Sequence, residues 1–205
     1  MSDNSAIEWT DATWNPIRGL GPNRWQCRKL SPGCDHCYAS KLNRRFGAEE
    51  YAKEGAVSLY ADHGEAPIAD FTNHAAFVRL DQKALAQPLH WKKPRRIFVC
   101  SVTDLFGEWV PDEWLNRIFA MMAVSQQHTF QLLTKRPSRM KAYLTSGWQG
   151  LWPMTEIVAA KPLGTYTIPG PPLPNVWLGV SIEADAYAWR AKILAEIPAL
   201  SLIHI

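Results

Sequence analysis

Between Lys92 and Ile205, short runs rich in β-branched and aromatic residues alternate with longer stretches of helical period, the pattern of parallel strands joined by crossover helices. The run from Arg96 to Ser101 is apolar almost throughout, as a strand covered on both faces should be. Pro111, Asp112 and Glu113 make a good first turn of a helix, and Trp114, Ile118, Phe119 and Met122 follow on one face at helical spacing. Thr129 to Thr134 predicts the next strand, with a short helix from Ser138 onward. Residues 146–174, dense in proline and glycine, read as a surface connection. Asn175 to Ser181 predicts a third strand, Ala184 to Glu196 its helix, and Leu200 to Ile205 a fourth strand.

The first part of the chain is less regular. Glu8 to Asn15 can supply one strand and Tyr38 to Phe46 a helix with basic residues in its later turns, where the helix dipole favours them. Gly47 to Phe71 has weak periodicity and reads as a loop or insertion; Phe77 to Leu80 adds a further strand. These units in this order predict a single α/β domain over residues 1–205, a partial (β/α) barrel of parallel strands with a cysteine loop at 19–38 and the surface connection at 146–174. In that architecture functional groups gather at the carboxyl ends of strands. Ser101 and Asp104, then Thr134, Lys135 and Arg136, then Ser181 and Glu183 fall at three such ends, so parallel strands would bring them to one rim.

Composition narrows the picture. A chain of 205 residues with 47% hydrophobic and 20% charged residues is ordinary for one packed core. A net charge of +3 falls short of the dense basic stripe that binding a phosphate backbone requires, so whole-chain charge gives no sign of nucleic-acid binding. No basic leader precedes an apolar run, and no apolar stretch approaches the ~18 residues of a membrane span. The expectation is a cytoplasmic protein without a membrane partner. In a reducing compartment the four cysteines, three of them close together, make a poor disulfide framework and a better metal or catalytic cluster.

That cluster is Cys27-Arg-Lys-Leu-Ser-Pro-Gly-Cys34-Asp-His-Cys37. Thiolates are soft ligands suited to iron or zinc, and a two-residue spacer lets Cys34 and Cys37 converge on one centre. Ser31, Pro32 and Gly33 place a turn just before Cys34. Three thiols on a four-iron cluster leave one iron open to a substrate or cofactor; a zinc ion would instead recruit a fourth ligand, and His36 is the nearest, giving a closed structural site. Cys100, inside an apolar strand, reads as a buried small hydrophobe. His63, His74, His90 and His128 show no ligand spacing, and Lys92 to Arg96 reads as a solvated lead-in to a strand. Glu8 and Asp11, near the first strand, are left open as groups that face the rim.

Ile7 to Pro16, the Ser31 to Ala39 segment, Trp91 to Val99, Ser101 to Phe106, Leu133 to Arg136 and Asn175 to Glu183 together resemble the phage-associated three-Cys-motif family of unknown function, in family order and over nearly the whole chain. The cysteine loop of that family is in turn similar to that of radical S-adenosylmethionine (SAM) enzymes, in which three cysteines hold a 4Fe-4S cluster and SAM chelates the fourth iron. The resemblance implies Cys27, Cys34 and Cys37 as ligands and places His36 where those enzymes commonly put an aromatic residue near the SAM adenine. The first spacer is longer here than in the commonest radical SAM pattern, and Gly19 to Gln26 looks like an insertion. At the rim, Asp104 or Glu183 would hold a ribose hydroxyl or the SAM amino group and Lys135 or Arg136 its carboxylate, with Ser101 and Ser181 beside them. The implied activity is radical-SAM-like chemistry on a nucleotide or nucleic-acid substrate. The alternative is a non-enzymatic protein with a structural zinc site and a nucleic-acid or protein-binding role. The family usually continues past Glu196 to Ala199 into a further block. This chain therefore looks truncated, with a sheet edge open to self-association and turnover in doubt.

Overall fold

The computed structural model describes residues 5, 7–19, 25–46, 78–145, 172–199 and 202–204. Five strands form the main sheet: β1 (Ala12–Trp14), β4 (Arg96–Val99), β5 (Thr129–Thr134), β6 (Val176–Val180) and β7 (Leu202–His204), in that spatial order. Every ladder is parallel; Trp14 stands opposite Val99, Val99 opposite Leu132, Leu132 opposite Leu178, and Leu178 opposite Leu202. A separate antiparallel ribbon pairs β2 (Ile17–Gly19) with β3 (Val78–Leu80). Each strand of the main sheet therefore joins the edge left by the one before it, and the described residues form an open α/β sheet with no closed barrel.

Crossover helices cover the strands because their apolar faces have nowhere else to go. The helices are α1 (Tyr38–Arg45), α2 (Gln82–Leu85), α3 (Gln87–His90), α4 (Asp112–Val124), α5 (Pro137–Thr145) and α6 (Trp189–Ala195). On α4, Leu115, Ile118, Phe119 and Met122 are buried; Phe119 stacks at a tilt with Tyr143 of α5, ring centroids 5.4 Å apart, and Phe106 completes the cluster. Truncating a ring buried like Phe119 costs about 3–5 kcal/mol. The end of α4 is closed by the Asn175 amide, which donates to the carbonyls of Met122 at 2.9 Å and His128 at 3.2 Å and so fixes where β6 begins. Trp14, fully buried, donates its indole N–H to the Ala84 carbonyl at 2.7 Å, locking β1 to α2.

The predicted strand at 129–134 is realised in full; that at 96–101 gives up Cys100 and Ser101 to the rim, and that at 175–181 gives up Ser181 to the rim and Asn175, at its other end, to the close of α4. The helix expected over 184–196 is broken: a 3-10 turn at Asp185–Tyr187 precedes α6. No side chain caps this start, so the first turn tightens into short-range bonds from Tyr187 N–H to the Ala184 carbonyl at 2.9 Å and from Ala188 N–H to Asp185 at 3.0 Å. The expected strand at 77–80 exists as β3 but pairs with β2, outside the main sheet. The loop expected at 47–71, His63, His74 and most of the 146–174 connection lie outside the described residues. Among the described residues no helix is long and apolar enough to cross a membrane.

Candidate functional site

Parallel pairing brings the carboxyl ends of β4, β5 and β6 to one rim, and the chain leaves β4 there through a sharp turn. Cys100, at φ 55°, is the one non-glycine residue among those described in the left-handed region, a conformation that costs an L-residue roughly 1–2 kcal/mol. Its N–H is held by the Trp14 carbonyl at 2.8 Å and its own carbonyl accepts from Thr103 at 3.2 Å. Buried at 3% exposure, its thiol has its pKa raised by burial, and it packs as the expected small hydrophobe.

The turn points Asp104 inward. Its carboxylate, 8% exposed, accepts from Thr134 Oγ1 at 2.6 Å, Phe106 N at 3.0 Å, Lys135 N at 3.1 Å and Arg136 Nη1 at 3.2 Å. A carboxylate offers about four lone-pair sites, and all are taken here, so Asp104 ties β4 to β5 and orients Lys135 and Arg136. Arg136 is also committed: its Nε donates to Glu108 at 2.9 Å and its guanidinium lies 4.8 Å from the Trp109 ring centroid.

The cysteine loop lies over this rim. Cys34 N–H bonds to the Ser31 carbonyl at 2.8 Å and Cys37 N–H to the Cys34 carbonyl at 3.2 Å, winding Pro32–His36 into a 3-10 turn that runs into α1. Trp25 N–H to Asn43 Oδ1 at 3.0 Å ties the loop to α1, and Thr103 Oγ1 donates to the Gln26 carbonyl to tie it to β4. Cys27 and Cys37 pack against one small apolar cluster of Trp25, Ala39 and Val102. Gly33 is required by close approach: a Cβ there would lie 3.0 Å from Glu183 Cγ.

Lys135 joins the loop to the strand ends. Its Nζ reaches Cys34 Sγ at 3.4 Å, Ser31 Oγ at 3.1 Å and Glu183 Oε1 at 3.1 Å. Glu183 accepts also from the Ser31 hydroxyl and, through Oε2, from Arg190 Nη1 at 2.8 Å; that same Arg190 nitrogen donates to the Ser181 carbonyl at 2.8 Å. The Arg190 side chain is 1% exposed, so Glu183 leans on a fixed buried cation. The electrostatics separate the thiols. Burial pushes Cys27 up to about 12, with the Asp104 carboxylate adding to it. At Cys34 burial acts in the same direction but is outweighed by backbone bonds from Leu30 and Ser31 and by the Lys135 ammonium, and the thiol falls below its ordinary value. Burial raises Glu183 as well, yet Ser31, Lys135 and Arg190 hold it below the usual carboxylate range.

The donor set fits a soft metal: three thiols on one loop, none in a disulfide. Among the described residues no group of three or more His, Cys, Asp or Glu side chains stands gathered as a ready metal cage. His36 is exposed on the turn between Cys34 and Cys37. Of the predicted rim residues, Lys135 meets Cys34 directly and Glu183 reaches it through Lys135 and Ser31. Ser101 exchanges bonds with the Asn15 amide at 3.2 and 3.3 Å and accepts from the Tyr38 hydroxyl through its carbonyl, while Ser181 bonds through its backbone, its N–H to the Thr134 carbonyl at 3.1 Å and its carbonyl from Arg190 at 2.8 Å. Asp11 does not face the rim; it pairs with Arg96 at 3.0 Å at the opposite ends of β1 and β4. Ser31, Asn15 and Arg190 are site residues that sequence reasoning missed. Ser31 carried only a turn signal, and Arg190 was hidden in a helical pattern.

A family model described as a protein of unknown function, DUF5131, matches residues 4–202. The chain belongs to the DUF5131 family. The match runs from ahead of β1 to the first residue of β7, so the cysteine loop and all three polar strand ends lie inside the DUF5131 domain. No curated protein and no solved structure matches the chain.

Proposed function

We propose that this DUF5131 protein is a radical-SAM-like iron-sulfur enzyme acting in the cytoplasm, with Cys27, Cys34 and Cys37 as ligands of a 4Fe-4S cluster and SAM as its cofactor. The observation that carries the reading is the juxtaposition of Cys34, on a loop with two further free thiols, with a cation and a carboxylate, Lys135 and Glu183, over the carboxyl ends of sequential parallel strands. On this reading the sheet is the open arc of a (β/α) barrel. When bound, the cluster would supply the electron for reductive cleavage of SAM.

The chain's own residues have separable tasks. Lys135 pairs with the cofactor's carboxylate and Glu183 with its amino group, the two ends of an amino acid. Ser101 and Ser181 line the rim beside them, and His36, exposed on its turn, stacks near the adenine. Asp104, with its acceptor sites filled, is a positioning residue for Lys135. The resemblance to phage-associated proteins supports a nucleotide or nucleic-acid substrate. Of the described strands, β7 pairs with β6 alone, and its other edge is where a second copy would add by self-association.

Anaerobic purification followed by reconstitution with iron and sulfide tests the reading through metal content and visible absorption. The expected result is about four irons per chain and a brown chromophore. Cys27→Ala, Cys34→Ala and Cys37→Ala should each abolish cluster retention, and Cys100→Ala should leave it intact. Stoichiometric zinc without a chromophore sinks the proposal and leaves the structural zinc site, with His36 as its fourth ligand and a binding role for the protein.

A further inference from the structure

The cysteine loop and α1 carry most of the molecule's positive character. Residues 25–46 hold five basic residues, Arg28, Lys29, Lys41, Arg44 and Arg45, against one acidic, Asp35, whereas the rest of the chain has one more acidic residue than basic. On α1 the buried side is Ala39, Ser40 and Asn43; Tyr38, Lys41, Arg44 and Arg45 are exposed. Tyr38, Lys41 and Arg45 recur at three- and four-residue steps, which stacks them along one edge of the helix.

Cations alone on a helix are a solvated face, but here exposed aromatic rings bracket them. Among the described residues the exposed large hydrophobics are Tyr38 at 51%, Phe46 at 47% and Trp189 at 44%, and the first two stand at the two ends of α1. The Tyr38 hydroxyl donates to the Ser101 carbonyl, which brings its ring to the rim at the end of β4. Phe46 packs its edge on Trp25 at 6.1 Å between centroids. Alternating aromatic faces and cations form the surface that binds single strands, since every base has a stackable face and every nucleotide a phosphate.

We infer that the outer face of α1, from Tyr38 to Phe46, is a docking surface for a single-stranded polynucleotide, with Lys41, Arg44 and Arg45 on its phosphates and Tyr38 leading a base to the rim beside Cys34. This deepens the substrate half of the proposed function and needs no metal. Lys29 is left out, since its side chain is only 13% exposed. Residues 47–77, which follow α1, hold six acidic residues and one basic, so the full chain, with that stretch included, is the right object to test.

The test is fluorescence anisotropy of labelled oligothymidylate and oligouridylate with the metal-free full chain across a salt series. The wild type should bind a single strand more tightly than a duplex of equal length. Lys41→Ser, Arg44→Ser and Arg45→Ser combined should lower the log–log salt slope by about 2, from roughly 0.7 per cation on a single strand. Arg45→Ser alone should lower it by about 0.7 and serves if the triple variant fails to fold. Tyr38→Ala should weaken binding about tenfold, within the stacking range of ~1–3 kcal/mol, and leave the slope unchanged. No binding by the wild type overturns the inference, and so does a slope that the lysine and arginine variants do not move. Polyglutamate competing as well as a single strand, with Tyr38→Ala silent, also overturns it in favour of generic anion binding. Metal content is read separately: a chain that assembles a cluster but binds no strand loses this inference alone, and one that binds strands without a cluster loses the iron-sulfur reading alone.

Discussion

Two aspartate–arginine pairs clamp neighbouring strands at opposite ends of the sheet, and they are made of the same chemistry. At the amino ends of β1 and β4, Asp11 and Arg96 meet at 3.0 Å with side chains 46% and 48% exposed. At the carboxyl ends of β4 and β5, Asp104 and Arg136 meet at 3.2 Å with side chains 8% and 5% exposed. Water screens the first pair and salt competes with it, so it registers the strands without adding much to stability. The second pair is desolvated and every acceptor site of its carboxylate is filled, which makes the rim rigid at the place where Lys135 must be aimed. Burial, more than distance, separates a surface clip from a site scaffold.

The sharpest way to break this comparison is to remove one partner from each pair. Asp104→Ala leaves the buried Arg136 with Glu108 as its remaining carboxylate partner and unpairs the Thr134 hydroxyl and the Lys135 N–H, and it should cost about 3–5 kcal/mol in denaturant unfolding, whereas Asp11→Ala should leave the midpoint almost unmoved. Equal losses from the two would show that burial is not what distinguishes them.

A second effect is chemical. In the metal-free protein at neutral pH, Cys34 should alkylate about tenfold or more faster than Cys27, because the thiolate is the nucleophile and the Cys34 pKa is lowered while that of Cys27 is raised. Lys135→Met should slow Cys34 and leave Cys27 unchanged. Mass spectrometry of iodoacetamide time courses resolves the sites; uniform labelling would mean the rim does not discriminate between its thiols.

The smallest effect is a pH dependence. Glu183 has a folded pKa below its unfolded one, so its contribution to stability is complete above the ordinary carboxylate value and declines as pH falls through the depressed folded value. The Asp11 carboxylate is shifted in the same direction, mainly by hydrogen bonds from Arg96, but lies in water. Raising salt should therefore erase the Asp11 share of the acid-side loss and spare most of the Glu183 share, as seen by comparing Asp11→Asn and Glu183→Gln melts below pH 5 at low and high salt. A Glu183→Gln profile that salt flattens as fully as Asp11→Asn would count against the shielded rim.

Much of this arrangement was legible in the chain. Thr129 to Thr134 read as a strand, and parallel pairing alone was enough to gather three strand ends at one rim. The partners were not legible. Asp104 has the same polar signature whether it waits for a ligand or, as observed, is filled by Thr134, Phe106, Lys135 and Arg136, since a one-dimensional pattern carries no record of what lies across the fold. The strand at Val78–Leu80 was visible, but its pairing with Ile17–Gly19 was not, because alternation specifies a strand and not its neighbour. The net charge of +3 was read as an average and hid the concentration of cations between Arg28 and Arg45.

The sheet also has a direction in time. Its strands join in chain order, so during synthesis each can settle on the edge left by its predecessor without waiting for a distant partner. The cysteine loop is the exception: Ser31 is made 152 residues before the Glu183 that holds it. Until β6 and Arg190 emerge from the ribosome, the loop has Thr103 and Lys135 to hold it but lacks the Glu183 latch. The latch on the cysteine loop is therefore among the last contacts of the sheet to close, after four of its five strands have been made.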